Sequence, residues 1–236
     1  MTVLVHGFWG QPADWNEVLQ RLPLTAEVLV PDLYEPGPLS PQHSLKLWSD
    51  NFGRWLDKVS PDKPVDLVGY SMGGRLALHA LAAHPQKFGR VLLLSTRPWL
   101  ADVEKPLRRN WEQNWAEKFL TQPWGELEKT WDEQDVFAGS GGRPRRRRED
   151  LRETLALSLT RWSVCEHTVT PEWLKSLPLT VEYAFGALDQ KFHNVAKALQ
   201  DLPVQGQIKS IPQAGHRLHL DAAACLSDWI QNGRPL

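Results

Sequence analysis

The stretch VDLVGYSMGGRLALHALAAHP, residues 65–85, decides the fold. An apolar run typical of a buried strand ends in Gly-Tyr-Ser-Met-Gly and passes at once into a run typical of a helix. In a G-x-S-x-G sequence at such a junction, the glycines allow a sharp turn that exposes the serine at the end of the strand. We predict that Ser71 is a nucleophile or a base on this turn. The alternative is a glycine-rich turn whose serine has no chemical role.

Five further apolar runs resemble the strand in this stretch: 2–7, 27–32, 90–95, 179–185 and 206–211. Because their successive residues are apolar, they predict strands buried on both faces, as in a parallel sheet. Helical patterns lie between the runs, for example at 12–22, 44–59 and 220–231. This alternation predicts the α/β class, with a mostly parallel central sheet flanked by helices.

The alternation breaks between residues 97 and 176, where helix formers, tryptophans and arginines occur without a strand-like run. We predict that residues 97–176 form a helical cap inserted into a core made of residues 1–96 and 177–236. The cap contains five arginines in the six residues from Arg143 to Arg148. This charge run predicts a solvated loop, and attraction of an anionic substrate or a partner is the alternative.

Composition restricts the class of protein. A chain of 236 residues that is 42% hydrophobic can bury one domain with an inserted subdomain. Its formal net charge of −1 creates no overall field that would favour nucleic acid or a membrane as the partner. The N-terminus, MTVLVHGFWG, lacks the pattern of a signal peptide, so we expect a cytoplasmic protein. Cys165 and Cys225 have no metal-like or redox-like spacing, and we expect buried thiols.

A serine hydroxyl needs a base to take its proton, and a histidine base needs a carboxylate to fix its tautomer. Asp189 and His216 each follow a predicted strand, and they come after Ser71 in the chain order Ser, Asp, His. We therefore predict a catalytic triad of these three residues. His219 is the most serious competing base. Asp32 also ends a strand, but we expect it to hydrogen-bond its own loop.

Backbone amides complete the predicted site. The residue after the nucleophile, Met72, supplies one N–H group for an oxyanion hole. A second donor is expected in the loop after the first strand, and HGFWG (6–10) fits because Phe8 can contribute its N–H group. His6 is then expected to shape this loop rather than to take part in the reaction.

These motifs together resemble an α/β-hydrolase-fold family, the 2-succinyl-6-hydroxy-2,4-cyclohexadiene-1-carboxylate synthases of menaquinone biosynthesis. The resemblance rests on HGF, GYSMGGR, GALDQKF and AGH in the core and on NWAEKFLTQPWGELEKTWDEQDVF, residues 114–137, in the cap. It implies a lyase that uses the triad to abstract a proton and eliminates pyruvate from a succinyl-bearing cyclohexene carboxylate, without a cofactor or metal. It implies a small polycarboxylate substrate, and we expect a monomer or weak homo-oligomer.

The substrate that this resemblance implies carries three carboxylates. A pocket that binds them needs fixed cations, preferably guanidinium groups. Arg75 lies four residues after Ser71, where a purely structural residue would usually be apolar, so we predict a substrate-binding role. The resemblance implies the same role for Arg108 and Arg152. The alternative for each arginine is an exposed charge on a helix. Aromatic residues are also expected to line the pocket: Tyr70, Trp131 and Phe8. The alternative for each is a packing role.

The chain also departs from the family pattern. The first strand begins almost at residue 1, so an N-terminal hairpin common in the superfamily is expected to be absent. The usual Asp-x-Pro-Gly-His-Gly after the second strand is replaced by DLYEPGPLS, residues 32–40. Two other functions stay open: a carboxylesterase or C–C bond hydrolase that forms an acyl-enzyme on the same triad, and a non-catalytic protein that binds an anionic ligand.

Overall fold

One parallel sheet forms the centre of the fold. The computed structural model describes residues 1–140, 149–177, 179–201 and 206–233. Six strands pair within these ranges: β1 Thr2–Val5, β2 Val28–Leu29, β3 Val65–Tyr70, β4 Phe88–Leu94, β5 Val181–Gly186 and β6 Ile208–Ile211. Their order across the sheet is β2-β1-β3-β4-β5-β6, and every pair is parallel. Each strand overlaps one of the six apolar runs, which confirms the predicted fold class.

Helices connect and cover the strands. The described helices are α1 Asn16–Leu19, α2 Leu45–Val59, α3 Met72–Ala83, α4 Lys105–Thr121, α5 Trp124–Asp132, α6 Arg152–Arg161, α7 Pro171–Lys175, α8 Gln190–Gln200, α9 Leu218–Asp221 and α10 Ala223–Asn232. The helix predicted over 44–59 begins after Ser44, whose hydroxyl caps it by accepting from the amide of Leu47. The helix predicted over 220–231 is divided at Ala222, where the backbone leaves helical geometry.

Apolar side chains pack against both faces of the sheet. One layer contains Trp48, Phe52 and Leu76 from α2 and α3. The other contains Trp15 and Trp229, from a short turn before α1 and from α10. Because the central strands are covered on both sides, their side chains are buried throughout most of their length. This packing fixes the carboxyl ends of β3, β4 and β5 next to one another at one edge of the sheet.

Between β4 and β5 the described part of the chain forms helices and loops without a strand. Helix α4 packs against α6, and the rings of Trp115, Phe119 and Trp131 contact one another. The same aromatic group reaches the loop after β1, since the Phe8 ring lies 4.7 Å from that of Trp131. The division into core and cap stays a prediction, and the arginine run from Arg143 to Arg148 lies outside the described residues.

The two cysteines differ in exposure. Cys165 is buried, as predicted, but Cys225 is exposed, so that part of the prediction is wrong. The reason is its position on α10, where Leu226 and Trp229 face the core and Cys225 faces outward. In the part of the chain that the structure describes, every helix is too short or too polar to cross a membrane.

Candidate active site

Ser71 occupies a sharp turn between β3 and α3. Its backbone has φ 51° and ψ −110°, a conformation that costs free energy for any residue with a Cβ atom. Glycines on either side make the turn possible: a Cβ atom at Gly69 would lie 2.6 Å from the Cα atom of Gly74, and one at Gly73 would lie 2.4 Å from the carbonyl oxygens of His6 and Val5. Strand and helix therefore pass close enough to present the serine at the sheet edge.

His216 joins Ser71 to Asp189. The Nε2 atom of His216 lies 3.2 Å from the Ser71 hydroxyl oxygen, and its Nδ1 atom lies 2.7 Å from Oδ2 of Asp189. Because the buried carboxylate can only accept, Nδ1 carries the proton, and Nε2 is free to accept from the serine. The structure thus brings the three predicted residues together in the arrangement that activates a serine oxygen.

His219, the competing base, lies elsewhere. Its ring is 4.3 Å from that of Tyr70 and 5.6 Å from that of Trp15, in a buried position. Burial, followed by the charge of Arg217, lowers the pKa of His219 to about 3, so the ring is neutral. His216 rather than His219 is therefore the histidine that contacts Ser71.

Two amides border the same cavity as Ser71. Met72 begins α3, so its N–H group is one of the unpaired donors at a helix N-terminus. Phe8 lies in the loop after β1, and both residues line the cavity that contains Ser71. Among the described residues neither amide has a backbone or side-chain acceptor, so both can donate to a bound oxygen anion.

The loop that carries Phe8 is held by the segment after β2. The Nδ1 atom of His6 donates to the carbonyl of Gly7 at 2.9 Å, and its Nε2 atom accepts from the amide of Leu33 at 3.1 Å. The amide of Trp9 donates to the hydroxyl of Tyr34 at 3.0 Å. His6 therefore shapes the loop, as expected, and the unusual 32–40 segment supplies part of its support. The sequence offered no signal for Tyr34, because its partner is distant in the chain.

A cavity of about 380 Å³ opens above the triad. The core contributes Ser71, Met72 and His216, whereas much of the remaining wall comes from the segment between β4 and β5. Apolar side chains form much of this wall: Leu100, Leu107, Trp111, Trp131, Val136, Phe137, Leu159 and Val164. A smaller adjoining cavity of about 60 Å³ also reaches Ser71 and His216 and is lined by Tyr70 and His219.

Comparisons with known proteins identify the family of this chain. A family model described as the alpha/beta hydrolase family matches residues 2–227. The chain belongs to the α/β-hydrolase family. The 2-succinyl-6-hydroxy-2,4-cyclohexadiene-1-carboxylate synthase of Serratia proteamaculans (strain 568) is 28% identical over 248 residues, which covers 98% of this chain and 91% of that protein. The synthase of the same name from Escherichia coli O1:K1 / APEC is 29% identical over 230 residues, with 94% and 88% covered.

A solved structure supports the same fold. MenH from S. aureus matches with a TM-score of 0.82 and 21% sequence identity, covering 97% of this chain and 91% of that one. At this identity the likeness shows the fold, and the chemistry of this α/β hydrolase must be derived from its own side chains.

Positive charge dominates the large cavity of this α/β hydrolase. Four cationic side chains line it: Arg75, Arg97, Arg108 and Lys191. The carboxylate in the lining, Glu104, is paired with Arg97 at 2.6 and 2.7 Å. Arg108 is paired with Glu112, at 2.7 Å. Within the described ranges, Arg75 and Lys191 have no carboxylate partner, so the cavity keeps an excess of positive charge.

The cationic side chains of this cavity repel one another. Loss of solvent around the half-buried Arg75, followed by repulsion from Arg108, lowers the pKa of Arg75 to about 10. A bound anion would relieve both effects. Sequence reasoning missed Arg97 and Lys191, although Arg97 lies three residues after β4 and Lys191 lies two residues after Asp189. Their positions just beyond strand ends were the available signal.

The remaining predicted pocket residues divide into two groups. Trp131 lines both cavities, and Tyr70 lines the smaller one. Arg152 is not among the residues that line these two cavities, and its substrate-binding role stays a prediction. Its guanidinium instead donates to the carbonyls of Phe119 and Gln122 at 2.8 and 3.3 Å, at the C-terminus of α4. Helix C-termini leave carbonyls without intrahelical partners, and Arg152 satisfies two of them.

Proposed function

We propose that this α/β hydrolase is a lyase of menaquinone biosynthesis that eliminates pyruvate from a cyclohexene carboxylate bearing succinyl and enolpyruvyl groups. The observation that carries this proposal is the excess of positive charge, from Arg75 and Lys191, in the cavity that also contains Ser71 and His216. A substrate with three carboxylates requires such cations, whereas a neutral ester does not. The names of the relatives described above support the same substrate class.

The proposed reaction begins with a proton transfer. His216 accepts the hydroxyl proton of Ser71, and Asp189 stabilises the imidazolium that results. The Ser71 oxygen then takes the proton from the ring carbon next to the succinyl ketone. The electron pair of that C–H bond moves onto the ketone oxygen as an enolate.

Elimination follows from this enolate. Its electrons return to form the conjugated diene, and the C–O bond to the enolpyruvyl group breaks. His216 returns a proton to the departing enolpyruvate, which becomes pyruvate, so that no cofactor is consumed. The amides of Phe8 and Met72 would stabilise the enolate oxygen, and a well-placed donor of this kind contributes roughly 3 kcal/mol.

The cavity wall has two roles in this proposal. Arg75 and Arg108 orient the carboxylates, while Lys191 attracts them at the exposed rim. The aromatic and aliphatic residues of 97–176 act as a cap that excludes water, which strengthens every charge interaction within the site. This cap would place the substrate ring over Ser71.

Pyruvate release tests the proposal. Purified protein is mixed with the enolpyruvyl substrate, and pyruvate is measured through NADH oxidation by lactate dehydrogenase. We expect release by the wild type and a loss of at least a thousandfold in Ser71→Ala and in His216→Ala. Release at the wild-type rate by purified Ser71→Ala would exclude this mechanism.

The same protein is assayed with p-nitrophenyl acetate. A burst of p-nitrophenol, with kcat/KM well above that for pyruvate release, would instead establish the hydrolase alternative, in which Ser71 attacks a carbonyl. A protein that binds polycarboxylates but turns over neither substrate and is not labelled at Ser71 by a fluorophosphonate would be a binding protein.

A further inference from the structure

Ser95 occupies the middle of the sheet edge that carries the site. It directly follows β4, between the strand that leads to Ser71 and the strand that leads to Asp189. The amide of Ser71 donates to the carbonyl of Leu94 at 2.8 Å, and the amide of Ser95 donates to the carbonyl of Ala184 at 2.8 Å. The backbone of Ser95 is therefore fixed to both neighbouring strands. Ser95 is among the residues that line the cavity containing Ser71.

The hydroxyl of Ser95 lacks a partner within the described residues, although the residue is fully buried. The next residue provides a direct comparison. Thr96 is equally buried, and its hydroxyl donates to the carbonyl of Leu94 at 3.1 Å. A buried hydroxyl without a partner destabilises the folded state, so packing alone favours alanine over serine at position 95.

The backbone of Ser95 is also strained. Its φ angle is 45°, in the left-handed region that favours glycine. Ser71 shares this rare feature, with φ 51°. Strained residues persist where the surrounding structure holds them for a purpose, and they concentrate at ligand sites. Ser95 therefore combines two destabilising features at one point of the cavity lining.

We propose that Ser95 is a further substrate-binding residue, whose hydroxyl donates a hydrogen bond to a carboxylate oxygen of the ligand. A hydroxyl alone could serve any acceptor, but Arg75 and Lys191 line the same cavity and select an anionic one. The identity of the ligand as the lyase substrate rests on the proposed function. The requirement for an anionic acceptor rests on the cavity itself.

Two neighbouring variants test the role of this hydroxyl: Ser95→Ala and, as the matched control, Thr96→Val. Each removes one fully buried hydroxyl, but among the residues that the structure describes only that of Thr96 has a protein acceptor. We expect Ser95→Ala to unfold at the same temperature as the wild type or higher, and Thr96→Val to unfold at a lower temperature. We expect kcat/KM for pyruvate release to fall about tenfold or more in Ser95→Ala, mainly through KM, and to stay within twofold in Thr96→Val.

Succinate provides a second readout that does not depend on turnover. Calorimetric titration should show binding to the wild type and about tenfold weaker binding to Ser95→Ala. If the wild type binds succinate about tenfold more tightly than Ser95→Ala does but releases no pyruvate, the proposed function fails while the role of Ser95 stands. Equal affinity in the two proteins, absence of binding to the wild type, or a fall in unfolding temperature matching that of Thr96→Val would each overturn the proposal for Ser95.

Discussion

The Nη1 atom of Arg75 lies 3.2 Å from the carbonyl oxygen of Trp162, which ties the helix behind Ser71 to the end of α6. A guanidinium has five N–H donors, so this bond leaves donors for an anion in the cavity. Arg75 therefore joins the core to the helical segment above it and also borders the substrate site. These two roles can be separated by substitution.

Arg75→Ala should lower kcat/KM for pyruvate release by ten- to more than a hundredfold. A hydrogen bond to a charged group contributes roughly 1.5–3 kcal/mol, and the variant loses at least one such bond to the substrate. Arg75→Lys should recover only part of the loss, because an ammonium group cannot reproduce the guanidinium fork. Steady-state kinetics with the lactate dehydrogenase assay gives both values.

Arg161 supplies the control for this series, since it is an exposed arginine at the end of α6. Arg161→Ala should keep kcat/KM within twofold of the wild type. Hydrolysis of p-nitrophenyl acetate should fall much less in Arg75→Ala than pyruvate release does. An equal loss of both activities, with circular dichroism unchanged, would mean that Arg75 supports the turn at Ser71 rather than the substrate.

The ion pair between Arg108 and Glu112 predicts a stability effect. Glu112 is buried, accepts from Arg108 at 2.7 Å, and also accepts from the hydroxyl of Ser163. Arg108→Ala would leave a buried carboxylate without its cation, so we expect the free energy of unfolding to fall by about 2–3 kcal/mol. Urea denaturation measures this loss.

A second substitution distinguishes stability from binding at the same pair. Glu112→Gln removes the buried carboxylate charge that Arg108→Ala leaves unpaired. The double variant Arg108→Ala/Glu112→Gln should therefore regain most of the lost stability. It should still bind substrate poorly, because the guanidinium is absent. If the double variant also regains the wild-type kcat/KM, Arg108 only holds Glu112 in place.

Arg152 should behave differently from Arg75 and Arg108, which line the cavity. Arg152→Ala removes the donors to the carbonyls of Phe119 and Gln122, so we expect α4 to fray at its C-terminus and the protein to lose about 1 kcal/mol of stability. Because the side chain lies outside the cavity, kcat/KM should stay within twofold. A tenfold rise in KM at unchanged stability would place Arg152 at the substrate after all.

The outcomes at these arginines show which features the sequence could predict. The turn at Ser71 follows from a local pattern, since a buried strand, two glycines and a helix occupy consecutive residues. The six strands are equally local, because each is a short apolar run. The position of Arg152 depends instead on how α4 and α6 pack together, and no local pattern encodes that contact.

Sequence reasoning missed two cavity residues for the same reason, since their positions depend on contacts between distant parts of the chain. Arg97 lies in the loop after β4 and Lys191 in the first turn of α8, after β5, and only the sheet order brings them beside Arg75. Ser95 could not be identified from sequence, since its unpartnered hydroxyl and its φ angle are visible only in three dimensions. Cys225 was assigned to the core because cysteines are usually buried, whereas α10 turns it outward.

Three histidines whose pKa is lowered mainly by burial, His79, His167 and His219, predict that the protein loses stability in mild acid. Burial, then the charge of Arg75, lowers the pKa of His79 to about 4, and burial, then Arg217, lowers that of His219 to about 3. Unfolded histidines have a pKa near 6.5. Between these values the unfolded chain binds more protons than the folded protein, so the free energy of unfolding falls as the pH falls below about 6.5.

His79 and His219 should therefore each cost about 2 kcal/mol of stability between pH 7 and pH 5, about 4 kcal/mol together, and His167 should add to this loss. Urea denaturation at both pH values measures the difference. His219→Asn removes one of these groups, so the stability of that variant should change by about 2 kcal/mol less over the same interval, whatever its stability at pH 7. An unchanged pH dependence in His219→Asn would show that the ring of His219 is protonated to the same extent in the folded and unfolded states.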